Sequence, residues 1–376
     1  MNAPHRELGG LSLSELQQLV AGMEQPAYRA TQIREHAWAG GAPGFSGMVS
    51  LPSDLRQQLE AELCYQSLEV VAQTSADRGL TIKLLLRGHD GEELEAVMIR
   101  HPGGAQGRPR NTVCVSSQVG CAIGCLFCAT GQLGLRRNLR ASEIVDQVRA
   151  AAQIWATAGQ GLPTNVVFMG MGEPLHNYEP VVSAVRLLRD WGLSPRRVVV
   201  STSGLVPEID RLAAENLPVR LAVSLHAAND PLRDRLVPLN RRYPLRELKA
   251  AALRFSAKTG RRVSLEYVLI ANVNDRPEDA IALRQLAAGI HAHVNLIPMN
   301  SIPNSDLVAP PLRVCRTFAD RVGPRASVRF SRGERATAAC GQLRASMAAL
   351  PRRAALAAVA HQELVGAPIG LGPGAP

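Results

Sequence analysis

The chain has 376 residues, enough for one large domain with a buried core and a small accessory one, and its 42 Lys and Arg against 32 Asp and Glu leave a net charge of +10 that puts nucleic acid first among partners. Composition excludes two classes: seven cysteines, three of them crowded between Cys121 and Cys128, are not a disulfide framework, and no apolar run reaches the roughly 18 residues of a membrane span. The start MNAPHRELGG lacks a basic segment followed by an apolar one, so a soluble, cytoplasmic protein with reduced thiols and no membrane partner is expected.

Residues 1–65 are expected to form a helical accessory domain. LSLSELQQLVAGM places Leu13, Leu16, Leu19 and Val20 near helical spacing, and Pro52 opens a second pattern through Leu59. Over 66–111 the period shortens to strands, LTIKLLL and LEAVMI around an HDG turn, which read as a hairpin joining two domains, and HPGGAQGRPRN reads as a mobile loop or linker.

From residue 112 strand-like runs alternate with helical patterns. TVCVSS precedes a helix from Ser142, NVVFMG one over 179–190, and RVVVSTS one near 207–215. VRLAVSL precedes one near 244–257, VSLEYVLI one over 277–287, and HVNLIP one near 311–322, with SVRF last. Six strand–helix repeats imply parallel strands with right-handed crossovers, so the expected fold is α/β, a partial (β/α)6 barrel over 112–347, with a doubly wound sheet as the alternative. In both, ligands sit at the carboxyl ends of the strands. The Ala-, Gly- and Pro-rich segment 348–376 reads as a flexible tail.

CAIGCLFC, directly after the first barrel strand, spaces Cys121, Cys125 and Cys128 as CxxxCxxC. A structural zinc site wants four ligands, and no fourth Cys or His stands close by. Three thiolates suit a 4Fe-4S cubane whose remaining iron is open, and the amino and carboxylate groups of S-adenosyl-L-methionine can chelate that iron.

With this spacing and Phe127 before the last cysteine, the chain resembles the radical S-adenosylmethionine (radical SAM) superfamily. VCVSSQVGC at 113–121, GMGEPL at 170–175, STSG at 201–204, SLHA at 224–227, LIPMN at 296–300 and AACGQL at 338–343 narrow the resemblance. Together they are similar to the bacterial dual-specificity 23S ribosomal RNA and transfer RNA adenine-C2 methyltransferases, with the adenine-C8 methyltransferases as close relatives.

The resemblance implies that Gly172, Glu173, Ser201, Ser224, Leu225, His226 and Asn300 contact S-adenosyl-L-methionine. It also implies a relay in which Cys340 accepts a methyl group from one S-adenosyl-L-methionine, a radical from a second removes a hydrogen from it, and the carbon adds to adenine. Cys114 then releases the product by forming a disulfide with Cys340. Glu95, in LEAVMI, resembles the family's proton acceptor, a role that a partly buried carboxylate suits.

The implied partners are 23S rRNA, tRNA and a reductant such as flavodoxin, with the chain acting as a monomer. Arg335 and Ala336 depart from the acidic residue and Ile usual ahead of AACGQL, and the 103–110 loop is longer than the common pattern. Cys64 and Cys315 match no motif and are expected to be structural. Methylation at C8 keeps the same chemistry, and a zinc-stabilised, non-enzymatic RNA-binding protein is the alternative of another class.

Overall fold

A computed structural model describes residues 6–39, 44–103, 109–303 and 305–343. The tail expected from 348 and residues 104–108 of the Pro/Gly/Arg loop lie outside them. A two-residue strand, β1 (Arg6–Glu7), leads into α1 (Leu13–Gly22). Ser12 caps this helix reciprocally: its Oγ accepts from Glu15 N at 3.2 Å while its own N–H donates to Glu15 Oε2 at 2.8 Å. Leu16 and Val20 then face inward.

α2 (Tyr28–Ala39) was not legible as a separate helix, because two of its four buried positions, Ala30, Ile33, Ala37 and Trp38, are alanines, which mark a helical face only weakly. α3 (Ser53–Glu62) follows Pro52 as expected and ends at β2 (Leu63–Cys64), which pairs with β1 in parallel.

The stretch read as a hairpin and linker is a three-stranded antiparallel meander, β3 (Leu68–Ala76), β4 (Thr81–Gly88) and β5 (Glu93–His101), continuous with the main sheet. β5 pairs antiparallel with β6 (Arg110–Cys114), the first barrel strand. β3 escaped notice because most of it is exposed, so LEVVAQTSA lacks a sustained apolar alternation.

After β6, β7 (Gln118–Gly120) and β8 (Leu135–Asn138) form a short antiparallel clamp around the cysteine loop, which also holds α4 (Ala129–Leu133). Gly120, at φ +77°, is required there, since a Cβ would stand 1.9 Å from Gly134 O.

The remaining units alternate: α5 (Ala141–Thr157), β9 (Asn165–Phe168), α6 (Tyr178–Asp190), β10 (Val198–Thr202), α7 (Val206–Ala214) and β11 (Arg220–Ser224). They continue through α8 (Asp230–Leu236), α9 (Leu245–Thr259), β12 (Val263–Leu269), α10 (Pro277–Ala287), β13 (Ala292–Pro298), α11 (Leu312–Val322) and β14 (Ala326–Val328). The ten-stranded sheet runs β14-β13-β12-β11-β10-β9-β6-β5-β4-β3.

Its parallel part is strictly sequential, with no point at which strand order reverses, so it is a partial barrel and not a doubly wound sheet. Among the described residues the edges β14 and β3 are not paired, which leaves the barrel open at the side. One sheet face is apolar, with Val113, Val166, Val200, Leu221, Leu265 and Leu296 all buried. The other carries Cys114, Ser201, Ser224, Glu266 and Asn295 and forms the polar inner wall.

The segment after β14 crosses the open side. Arg329 N donates to Leu296 O at 2.8 Å, Arg332 Nη1 to Arg100 O at 3.0 Å, and Gly333 N to Asp77 Oδ2 at 2.8 Å. Lys83 Nζ donates to Thr337 Oγ1 at 2.8 Å. Ala336, one of the two departures noted above, is buried within this strap.

Candidate active site

A cavity of about 1040 Å³ opens at the carboxyl ends of the parallel strands, and Cys121, Cys125 and Cys128 line it together. Burial pushes the Cys125 thiol well up, and the nearby Cys128 and Cys121 push it further, so the three groups are within electrostatic reach of one another. Such a set of thiols takes up negative charge readily only with a compensating cation, as an iron cluster would supply.

Gly172 and Glu173 lie beyond β9. Gly172 adopts φ +100°, and a Cβ there would stand 2.6 Å from Gln118 Cβ. Gln118 in turn accepts from Glu173 N at 2.8 Å. Gly172→Ala is therefore expected to cost about 1–3 kcal/mol, seen as a lower chemical-denaturation midpoint with the loop displaced; an unchanged midpoint would show that the loop absorbs a methyl group.

Glu173 is buried. Its Oε2 accepts from Ser203 N and Ser203 Oγ, both at 2.7 Å, and its Oε1 from Leu175 N at 3.1 Å. Burial still holds its pKa above the ordinary carboxylate value, so a cationic ligand would be welcome beside it.

Ser201, Ser224, His226 and Asn300 line the same cavity. Leu225 does not, for its side chain is packed in the core. Its backbone serves instead, N donating to Glu266 O and O accepting from Arg233 Nε, both at 2.9 Å. His226 has φ +60° and accepts at Nδ1 from Val268 N at 3.0 Å, which places its proton on Nε2. Burial, and secondarily Arg233, lower its pKa to about 3, so the ring is a neutral donor over any working pH.

Cys340 stands on a loop bound from both sides. Asn300 Nδ2 donates to Cys340 O at 3.0 Å, Ala129 N to Gly341 O at 2.8 Å, and Thr130 Oγ1 to Leu343 O at 2.6 Å. The residue is exposed, yet its thiol is enclosed closely enough that burial pushes its pKa up. Cys114, at the end of β6, is pushed up to about 12 by burial and then by Cys340. Both line a second cavity of about 990 Å³, which shares Met169, Ile297, Arg329, Cys340 and Leu343 with the first.

All seven cysteines are free, so Cys114 and Cys340 are neighbours without a bond. Cys315 is buried, and Cys64 donates to Gln66 O at 2.9 Å. Glu95 is buried, paired with Lys83 Nζ at 2.8 Å, and lines neither cavity. It lies on the same face of β5 as Ile99 and His101, which do line the second.

Sequence reasoning missed several members of the site. Fully buried Arg233 ties strand ends together, with Nη2 donating to Ser203 O at 2.6 Å and to Ser224 O at 3.1 Å, and its charge lowers the pKa of Cys125. Buried Glu266 lines the first cavity, and among the described residues its Oε2 has no hydrogen-bond partner. These are isolated polar residues with no spacing signal that could have singled them out.

A model described as the radical SAM superfamily matches residues 115–283. The chain is 47% identical over 345 residues to the probable dual-specificity RNA methyltransferase RlmN of Moorella thermoacetica, covering 90% of this chain and 97% of that one. It is 45% identical over 355 residues to the protein of the same name from Thermobifida fusca, covering 91% and 96%. The crystal structure of a radical SAM methyltransferase from Sphaerobacter thermophilus matches with a TM-score of 0.85 at 48% identity, covering 91% of this chain and 100% of that one. A partial barrel with three cysteines at its mouth, and likeness to these relatives along nearly their whole length, make this chain a member of the dual-specificity RNA methyltransferase family of the radical SAM superfamily.

Proposed function

We propose that the chain makes 2-methyladenosine in 23S rRNA, at the peptidyl-transferase centre, and in tRNA next to the anticodon, with Cys340 as the carrier of the one-carbon unit. The observation that carries this reading is that Cys114 and Cys340 line one cavity, which adjoins the three-cysteine cavity through shared walls. Adenine C2 is an electron-poor carbon, so transfer through a thiol-borne carbon suits it better than direct polar transfer.

The three thiols of the motif fit a 4Fe-4S cluster, and Glu173, Ser201, Ser224, His226 and Asn300 are the polar groups available to hold S-adenosyl-L-methionine beside it. When bound, these supply the methyl group and the radical that removes a hydrogen. The chain does the rest. Asn300 fixes the Cys340 loop through its carbonyl, and the apolar side chains around the motif, Ile123, Leu126, Phe127, Val268 and Ile297, exclude water.

After addition the ring holds an unpaired electron and an extra hydrogen; the electron returns to the cluster when that is bound, and Glu95 takes the ring proton. The thiolate of Cys114 then attacks the Cys340 sulfur, a disulfide forms as the bond from that sulfur to carbon breaks, and the electron pair stays on the released carbon, which picks up a proton to become the methyl group. A flavodoxin-like reductant, a monomeric state and a cytoplasmic location complete the reading; among the described residues no helix is long and apolar enough to cross a membrane.

The test is anaerobic reconstitution with iron and sulfide, reaction with deproteinised 23S rRNA, and mass spectrometry with NMR of the modified nucleoside. The expected product is 2-methyladenosine, and 8-methyladenosine or an unmodified base would overturn the assignment. In parallel, Cys125→Ala should stay folded and lose the brown cluster, because two thiols hold a cubane poorly. Full iron content in that variant would remove the motif from cofactor binding.

A further inference from the structure

The second cavity has a rim for which the relay has no use. Arg110 at the start of β6, and Arg329 and Arg332 on the strap, line it together with His101 and with Phe330, a residue 59% exposed. Arg329 also faces the first cavity, where its charge acts on buried Glu266, whereas Arg110 and Arg332 line only the second. They crowd one another: burial and then the charges of Arg329 and Arg332 lower the Arg110 pKa, and His101 is lowered to about 4 by burial and then by all three arginines. Like charges gathered around one opening are relieved by an anion. The backbone N–H groups of Arg329 and Gly333 hold the strap in place, and Arg332 adds a bond from Nη1 to Arg100 O.

We propose that this rim grips RNA beside the target base, with Arg110 and Arg332 on backbone phosphates and Phe330 stacked on a neighbouring base. The proposal rests on the reading of the chain as an RNA methyltransferase. A base must leave its stack to reach Cys340, and an exposed aromatic ring beside the opening can occupy the gap or hold an unstacked neighbour. An acidic protein reductant would also suit the cations. An aromatic residue flanked in sequence by Arg329 and Arg332 on the same rim, and the opening onto Cys114 and Cys340 and not onto the cluster motif, favour a nucleic acid.

The experiment uses the full chain with its cluster, anaerobically, and a transcript of the target hairpin of 23S rRNA, with filter binding across a range of salt concentrations. Arg110→Gln and Arg332→Gln should each weaken binding and reduce the slope of log K against log salt by about 0.7–0.9, the value for one lost phosphate contact. Phe330→Ala should weaken binding about 5- to 100-fold with the slope unchanged, as expected when one stacked base is lost. Cleavage of S-adenosyl-L-methionine without RNA, driven by dithionite, should stay at the wild-type level in all three variants, as should iron content.

Wild-type affinity and slope in both arginine variants would overturn the proposal. So would normal RNA binding with activity lost only when a protein reductant replaces dithionite, which would assign the rim to the reductant. Failure of the wild-type chain itself to bind the transcript would overturn the RNA reading and this inference with it.

Discussion

Cys114→Ala should leave RNA covalently attached to the protein, visible as a denaturant-resistant gel shift that ribonuclease removes. With the cavity otherwise intact, the proposed methylation of Cys340, hydrogen removal and addition to the base can proceed, and the thiol proposed to free the product is gone. Cys340→Ala should instead retain the cluster, form no adduct and methylate nothing, and the double variant should match it. Product release should fall to background in either single variant. Normal turnover by Cys114→Ala without an adduct would make Cys114 a core residue.

The same pair sets a pH dependence. Burial, and then the charge of Cys340, raise the Cys114 pKa to about 12; once the Cys340 sulfur is bonded to carbon only burial of these two remains, which still holds Cys114 as a thiol, and a thiol attacks only as thiolate. Release in the wild type should therefore quicken about tenfold per pH unit through the neutral and mildly alkaline range. Release independent of pH there would mean that a neighbouring base takes the Cys114 proton, or that another step limits the rate.

The second large effect concerns stability. Arg149 on α5 is fully buried between the rings of Tyr65, at 4.9 Å, and Trp191, at 5.1 Å, and pairs with Asp146. Its Nη1 also donates to Tyr65 O at 2.9 Å, while Asp146 Oδ2 accepts from Ser67 N and Ser67 Oγ, both at 2.6 Å. These bonds fasten the end of the helical domain to the barrel.

Arg149→Ala strips one partner from a buried pair and leaves the Asp146 charge behind, which should cost about 3–5 kcal/mol, a large part of the ~5–15 kcal/mol typical of a folded protein. Chemical denaturation measures it, and limited proteolysis should cut first near Tyr65. Arg149→Met combined with Asp146→Leu should recover part of the loss, because apolar replacements leave no charge stranded. A loss below about 1 kcal/mol in Arg149→Ala would show that water reaches the pair.

The parallel strands were legible because each is a short apolar run, such as VVVST or RLAVS, flanked by helical spacing. Elements without such a run were not: α8 has seven residues, and β7 and β8 are defined by their pairing with each other. Within the site, the cysteine motif and the strand-end words could be read because their residues are adjacent in sequence. Arg233, Gln118 and Glu266 act through partners far along the chain, and the four basic groups of the rim lie at positions 101, 110, 329 and 332. Only folding brings them to one place.

The open side of the barrel ties access to reactivity. The segment that bridges β14 to β4 and β5 also carries Cys340, and Asp77, Lys83 and Arg100 hold it on the far bank. A change in that side would therefore act on the backbone that positions the Cys340 sulfur. Under the proposed relay, the segment that borders the opening and the thiol that would carry the carbon are thus one length of chain, so loosening its anchors at Asp77, Lys83 or Arg100 should also alter the reactivity of Cys340.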